Sequence, residues 1–170
     1  MPVSDQGVFQ DRYMLIPRTL IFLTRNKKVL LLKGAPTKRL WANLYNGVGG
    51  HIEQGEDVLS AAYRELAEET GLVPDTLCLC GTVSVDTGEN VGIGIYVFRG
   101  ECATGVPKPS DEGALEWVAF GEISELPLVE DLPKILPHVL AMQSGDSPFS
   151  ARSFYDAEDK LQVVFAEQDH

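Results

Sequence analysis

Arg64, Glu65, Glu68 and Glu69 crowd into six consecutive positions, and Glu56 stands eight residues ahead of Arg64. At about 100° per residue in a helix, Glu65, Glu68 and Glu69 fall within roughly a 100° arc of one face. Like charges three and four positions apart repel one another. A helix that aligns three of them beside an apolar stripe is unfavourable unless a cation neutralises them. Carboxylate oxygens are hard ligands, suited to Mg2+, with Mn2+ as a possible substitute. Three glutamates alone are also compatible with a solvated acidic face. Just before the helix, Asn46-Gly47-Val48-Gly49-Gly50 is a glycine-rich loop whose backbone can approach a ligand closely, although most such clusters are plain turns.

The element that must carry the acids reads as a helix over Glu56 to Thr70. It is rich in helix formers, holds no internal Gly or Pro, and is closed by Gly71 and then Pro74. Val58, Leu59, Ala62 and Leu66 form its apolar stripe, with Glu69 at the stripe's edge and Glu68 farther from it. Upstream, Tyr13 to Thr24 and Val29 to Lys33 read as strands of a hairpin that turns at Arg25 to Lys28. Leu77 to Asp86 and Val91 to Gly100 form a second hairpin, and Leu115 to Phe120 is a short strand. Asp131 to Met142 carries Leu132, Ile135, Leu136, Val139 and Leu140 at helical spacing, with Pro133 tolerated in the first turn and Pro137 expected to bend it or delay its start. Phe149 to Tyr155 and Leu161 to Phe165 flank Asp156 to Lys160 as a third hairpin. Strands mixed with two helices imply an α/β fold with a sheet covered on both faces.

The chain has 170 residues, 44% of them hydrophobic, which suits one domain spanning residues 1–170 with residues 1–10 loosely tied. With 25 acids against 14 bases, the net charge of −11 argues against a nucleic-acid polymer as partner. It leaves a small phosphorylated ligand open, because bound cations invert the local field. Cys78, Cys80 and Cys102 lack the spacing of a zinc site and are expected to be buried reduced thiols. No secretory leader is evident, and no apolar run reaches membrane-spanning length, so the expectation is a cytoplasmic protein with no membrane partner.

Residues 50–72 fill every fixed position of G-x5-E-x7-R-E-U-x-E-E-x-G-U, where U is a bulky aliphatic residue. A chance match in a chain of this length is on the order of one in ten million. This is the Nudix box, and the chain resembles the Nudix hydrolases. The resemblance implies the Nudix fold, an α/β/α sandwich around a mixed β-sheet. It also implies water attack on a phosphate of a nucleoside diphosphate linked to another group. By that likeness Glu65, Glu68 and Glu69 carry the metal, joined by a backbone carbonyl of Gly49 or Gly50. Arg64 orients Glu56 or Glu65, and Glu68 or Glu69 is the proton acceptor.

Further likeness points to the oxidised purine nucleoside triphosphate diphosphatases, which act on 8-oxo-dGTP. Their tryptophan-asparagine-glycine run before the box is matched by Tyr45-Asn46-Gly47, and their Ser-Asp-Glu before a tryptophan strand by Ser110-Asp111-Glu112 ahead of Trp117. This makes Asn46 a base contact, Glu112 a further acid near the metal, and Glu130-Asp131 the pair that reads the purine edge. Lys33, Lys38 and Arg39 flank the glycine loop as candidate phosphate contacts, while Trp41 and Trp117 either stack on a base or pack in the core or cleft. Tyr45 and Val48 stand where that branch has Trp and Phe, which leaves ADP-ribose or a dinucleoside polyphosphate as alternative substrates. A non-catalytic nucleotide-binding module is the remaining alternative. His51, His138 and His170 show no partner pattern and receive no role.

Overall fold

The computed structural model describes residues 2, 5–7, 9 and 11–167, so the expectation of a loosely tied start falls partly, and His170 wholly, outside the described residues. Strand β1 (Met14–Arg25) turns into β2 (Lys28–Gly34). The tight turn is made by Asn26 and Lys27, both at positive φ (49° and 57°), the backbone hand that matches the twist of a two-residue hairpin. Then follow β3 (Tyr45–Asn46), α1 (Val58–Thr70), β4 (Thr76–Val85), β5 (Val91–Glu101), β6 (Gly113–Ala119), α2 (Leu132–Ala141), β7 (Phe149–Tyr155) and β8 (Leu161–Phe165). A 3-10 turn over Phe120–Glu125, which the residue pattern did not suggest, joins β6 to the approach to α2.

Among the described residues the strands form one mixed sheet in the order β3-β2-β1-β5-β4-β7-β8, with β6 paired along β2. Pairs β1·β5 and β4·β7 are parallel and the others antiparallel. Alternation along β1 divides its side chains between two cores: Ile21 and Leu23 face α1, and Phe22 faces α2. Ala62 and Leu66 of α1 close the first core with Leu30, Val48 and Phe98. Leu132, Ile135, Leu136 and Val139 of α2 close the second with Val29, Leu31 and Val97. Full burial of such side chains stabilises by about 1.5–3 kcal/mol each.

Helix α1 starts later than expected. Asp57 is its N-cap, accepting from the N–H groups of Leu59 and Ser60, and Gly71 ends it at φ 68°, the left-handed conformation glycine adopts without strain. Leu59 is exposed, a departure from the expected stripe, and Glu65 is buried in its stead. Helix α2 runs through Pro137, so the helix neither breaks nor waits for the proline. Its C-terminal end is held from the sheet: the Arg99 guanidinium on β5 donates to the carbonyls of Val139, Leu140 and Met142, the last at 2.8 Å. A cation there also complements the negative end of the helix dipole. Cys80 and Cys102 are buried free thiols, and burial pushes Cys80 up to about 11. Cys78 is exposed, contrary to expectation; the strand register slips between Leu79 and Gly81, which interrupts the alternation that would place Cys78 and Cys80 alike.

Candidate active site

The glycine loop lies along β1. Val48 bridges Ile21 with paired backbone bonds of 2.7 and 3.1 Å, and the Thr19 N–H donates to the Gly50 carbonyl at 2.8 Å. At Gly49 and Gly50 this contact leaves no room for a side chain. A Cβ on Gly49 would collide with the Thr19 carbonyl, and one on Gly50 would stand 2.6 Å from Glu65 Oε1. The two glycines therefore let the loop press between β1 and the acidic face of α1.

Arg64 organises that face. Its Nε and Nη2 grip Glu56 at 2.6 and 2.9 Å as a two-pronged fork, its Nη1 reaches Glu65 at 2.8 Å and Glu68 at 3.2 Å, and Nη2 also donates to the His51 carbonyl at 3.0 Å. Such charge-assisted forks fix geometry as well as charge. The guanidinium and the Glu53 N–H hold the Glu56 carboxyl down at about 2. Glu65 and Glu68 are thus both steered by Arg64, which lies between them and Glu56.

Glu69 stands apart. Its Oε2 is buried with no hydrogen-bond partner. Burial first, and then the Glu65 charge, push its carboxyl up to about 7, against a hydrogen bond from the Gly49 backbone and the attraction of Lys38. Among the described residues no three acidic, His or Cys side chains converge as a metal cluster, and Arg64 holds an oxygen each of Glu65 and Glu68. The donor set nevertheless fits a hard divalent ion. An unpartnered buried carboxylate oxygen on Glu69, the Glu65 carboxylate against a side-chain-free Gly50, and adjacent backbone carbonyls offer oxygen ligands and excess negative charge in one place.

These groups open onto a cleft of about 940 Å3. Asn46, Lys38, Glu112 and Asp131 all line it. Lys38 and Glu112 form an ion pair with each other. The Asn46 side-chain oxygen accepts from the Gly47 N–H at 2.8 Å, so its amide is steadied by its own turn. Asp131 occupies the N-cap position of α2 yet makes no capping hydrogen bond, and its burial raises its carboxyl above the usual range. Three other candidates lie elsewhere. The Lys33 ammonium sits 5.5 Å from the Tyr45 ring centroid, since the strand's alternation turns it away from the cleft. Glu130 accepts from the Tyr155 hydroxyl at 2.7 Å. Trp117 packs in the α1-side core with the Arg25 guanidinium 4.3 Å from its ring centroid, so it belongs to the packing alternative.

The cleft also contains residues that the pattern did not single out. Arg18, His51 and Glu53 line it, beside the tryptophan candidate Trp41, which is half exposed at φ 61°. Arg18 was visible as a lone cation interrupting the apolar run from Met14 to Leu23. Trp41, a candidate for packing or base stacking, lines the cleft and does not join the core.

The NUDIX domain family matches residues 14–139, which takes in the glycine loop, the whole of the acidic helix and most of α2. The chain belongs to the Nudix family. It is a Nudix pyrophosphohydrolase by fold and by kinship, and Nudix enzymes act on nucleotide derivatives with divalent metal ions. A zebrafish (Danio rerio) oxidized purine nucleoside triphosphate hydrolase is 35% identical over 106 residues, covering 62% of this chain and 67% of the relative. An ADP-ribose pyrophosphatase of Methanocaldococcus jannaschii is 29% identical over 149 residues, covering 84% of this chain and 85% of its own. Among solved structures, a mutator MutT protein from Bacillus halodurans superposes with a TM-score of 0.70 at 26% identity, over 89% of this chain and 97% of that one. The Nudix fold expected from the box is therefore the fold observed.

Proposed function

We propose that this Nudix enzyme hydrolyses a purine nucleoside triphosphate, with 8-oxo-dGTP the leading candidate, to the nucleoside monophosphate and pyrophosphate. The observation that carries the reading is the buried, unpartnered Glu69 oxygen beside the glycine loop. It lies next to two further carboxylates and at the floor of a cleft large enough for a nucleotide. Glu65, Glu68 and Glu69, with a carbonyl of Gly49 or Gly50, would hold Mg2+ there; when bound, the ion neutralises phosphate charge and makes water a better nucleophile.

The chain's own residues supply the rest. Arg64 keeps Glu65 and Glu68 in register by tying both to the same guanidinium that grips Glu56. Glu68 or Glu69 accepts the proton of the attacking water, a role open to either carboxylate lining the cleft. The water oxygen bonds to phosphorus, the anhydride P–O bond breaks, and pyrophosphate leaves. At the other end of the cleft Asp131, whose carboxyl burial raises above its usual range, faces the purine edge, and Asn46 presents its amide to the base. Likeness to the zebrafish enzyme supports the purine triphosphate reading.

The archaeal ADP-ribose pyrophosphatase, aligned over more of the chain, favours ADP-ribose as a second reading. A substrate panel at fixed Mg2+ decides between them. The first reading expects pyrophosphate release from 8-oxo-dGTP to exceed ADP-ribose turnover by at least ten-fold and to vanish in EDTA. Faster ADP-ribose cleavage would overturn it.

A further inference from the structure

We infer that Arg18 is the anchor for the terminal phosphates of the substrate, a recognition residue that sets how many phosphates the cleft prefers. The inference rests on the triphosphate reading above. The cations of the cleft are already committed, with two exceptions. Lys38 is paired with Glu112, and Arg64 is held by Glu56, Glu65 and Glu68. Arg39 is exposed and solvated. Among the described residues Arg18 makes no ion pair, and its Nε is buried with no hydrogen-bond partner. A buried guanidinium N–H with nothing to donate to is unfavourable. An anionic ligand would satisfy it.

The position of Arg18 says which part of the ligand that is. The glycine loop runs antiparallel to β1, with Val48 opposite Ile21 and His51 opposite Arg18. Asn46 and His51 are therefore separated by roughly 16 Å of extended backbone at about 3.3 Å per residue. Asp131 is at the Asn46 end, because the Val129 N–H donates to the Tyr45 carbonyl at 3.0 Å. The Glu65 carboxylate lies against Gly50, between the two ends and nearer Arg18. A nucleotide with its base at Asp131 and Asn46, and its reacting phosphates beside Gly50, directs its terminal phosphates at Arg18. A planar guanidinium suits them, since it can donate two parallel hydrogen bonds to one phosphate.

Calorimetry with pyrophosphate and with dGMP, in Mg2+ buffer, tests this without relying on turnover. Pyrophosphate is expected to bind wild-type protein and to bind Arg18→Gln at least ten-fold more weakly, with dGMP affinity unchanged. Arg18→Lys, which keeps the charge and loses the fork, should fall between. Melting curves of both variants establish that they fold. Equal pyrophosphate affinity in wild type and Arg18→Gln, no pyrophosphate binding at all, or an equal loss for dGMP would each overturn the assignment. The substrate panel is a separate outcome: Arg18-dependent pyrophosphate binding without triphosphate hydrolysis upholds the anchor and rejects the proposed substrate. Triphosphate hydrolysis with Arg18-independent binding does the reverse.

Discussion

Replacing Glu69 by glutamine should make the metal-free protein more stable at alkaline pH, an unusual result for a residue at the heart of a site. In the folded chain the Glu69 carboxyl titrates at about 7, against an ordinary 4.5. A raised folded value means that the folded state keeps a proton which the unfolded chain has already released. Stability from this group is therefore full below about 4.5 and is lost as pH rises through about 7. At about 1.4 kcal/mol for each factor of ten in proton affinity, the difference amounts to at most about 3 kcal/mol. Glu69 is only partly buried, so water screens it and about 2 kcal/mol is the expected penalty. Glutamine has the same shape, keeps an oxygen for the Gly49 N–H, and never ionises. Urea denaturation in EDTA should show Glu69→Gln more stable than wild type by about 2 kcal/mol at pH 8 and nearly equal to it at pH 4.5. Adding Mg2+ should narrow the gap, because wild type binds the ion more tightly and gains more free energy from it. No gain at pH 8, or the same gain at both pH values, would refute the claim that an uncompensated carboxylate is buried here.

Other substitutions probe the neighbouring contacts. Arg64→Lys keeps a charge but loses the fork on Glu56 and the reach to Glu65 and Glu68; turnover should fall at least ten-fold, measured under saturating substrate and Mg2+. Gly50→Ala places a methyl 2.6 Å from Glu65 Oε1 and must rotate that flexible carboxylate aside. Its expected signature is a ten-fold or greater loss of Mn2+ affinity by calorimetry with little change in the EDTA melting temperature. Lys33→Gln should leave kcat and KM within two-fold of wild type, because Lys33 faces the Tyr45 ring and not the cleft.

The box helix was legible because its signals are local. Acids spaced by three and four, a closing glycine and a following proline all act within a turn or two of one another, and Gly71 takes the left-handed role its position suggested. The helix starts two residues later than its run of helix formers suggests, because Asp57 serves as the cap and Val58 is the first helical residue. Strand positions were legible for the same reason, while their order was not: the parallel pairings β1·β5 and β4·β7 join segments far apart in the chain. Alternation could have warned that Lys33 and Glu116 share the Tyr45 face, but only once β2, β3 and β6 were known to be neighbours. Asp131 and Glu130 look alike as a pair of acids. The turn into α2 separates them, one into the cleft and the other toward Tyr155. Arg18 acquires meaning only from the buried N–H that no alternation pattern displays.

The central claim is that carboxylates on α1 hold a divalent cation at the glycine loop. Titration of Mn2+ followed by electron paramagnetic resonance tests it directly, since free and bound Mn2+ give distinct signals. Wild-type protein should take up Mn2+ at a site that Mg2+ displaces, and Glu65→Gln and Glu69→Gln should each weaken that uptake at least ten-fold. Uptake that is absent from wild type, or that survives both substitutions unchanged, would contradict the account.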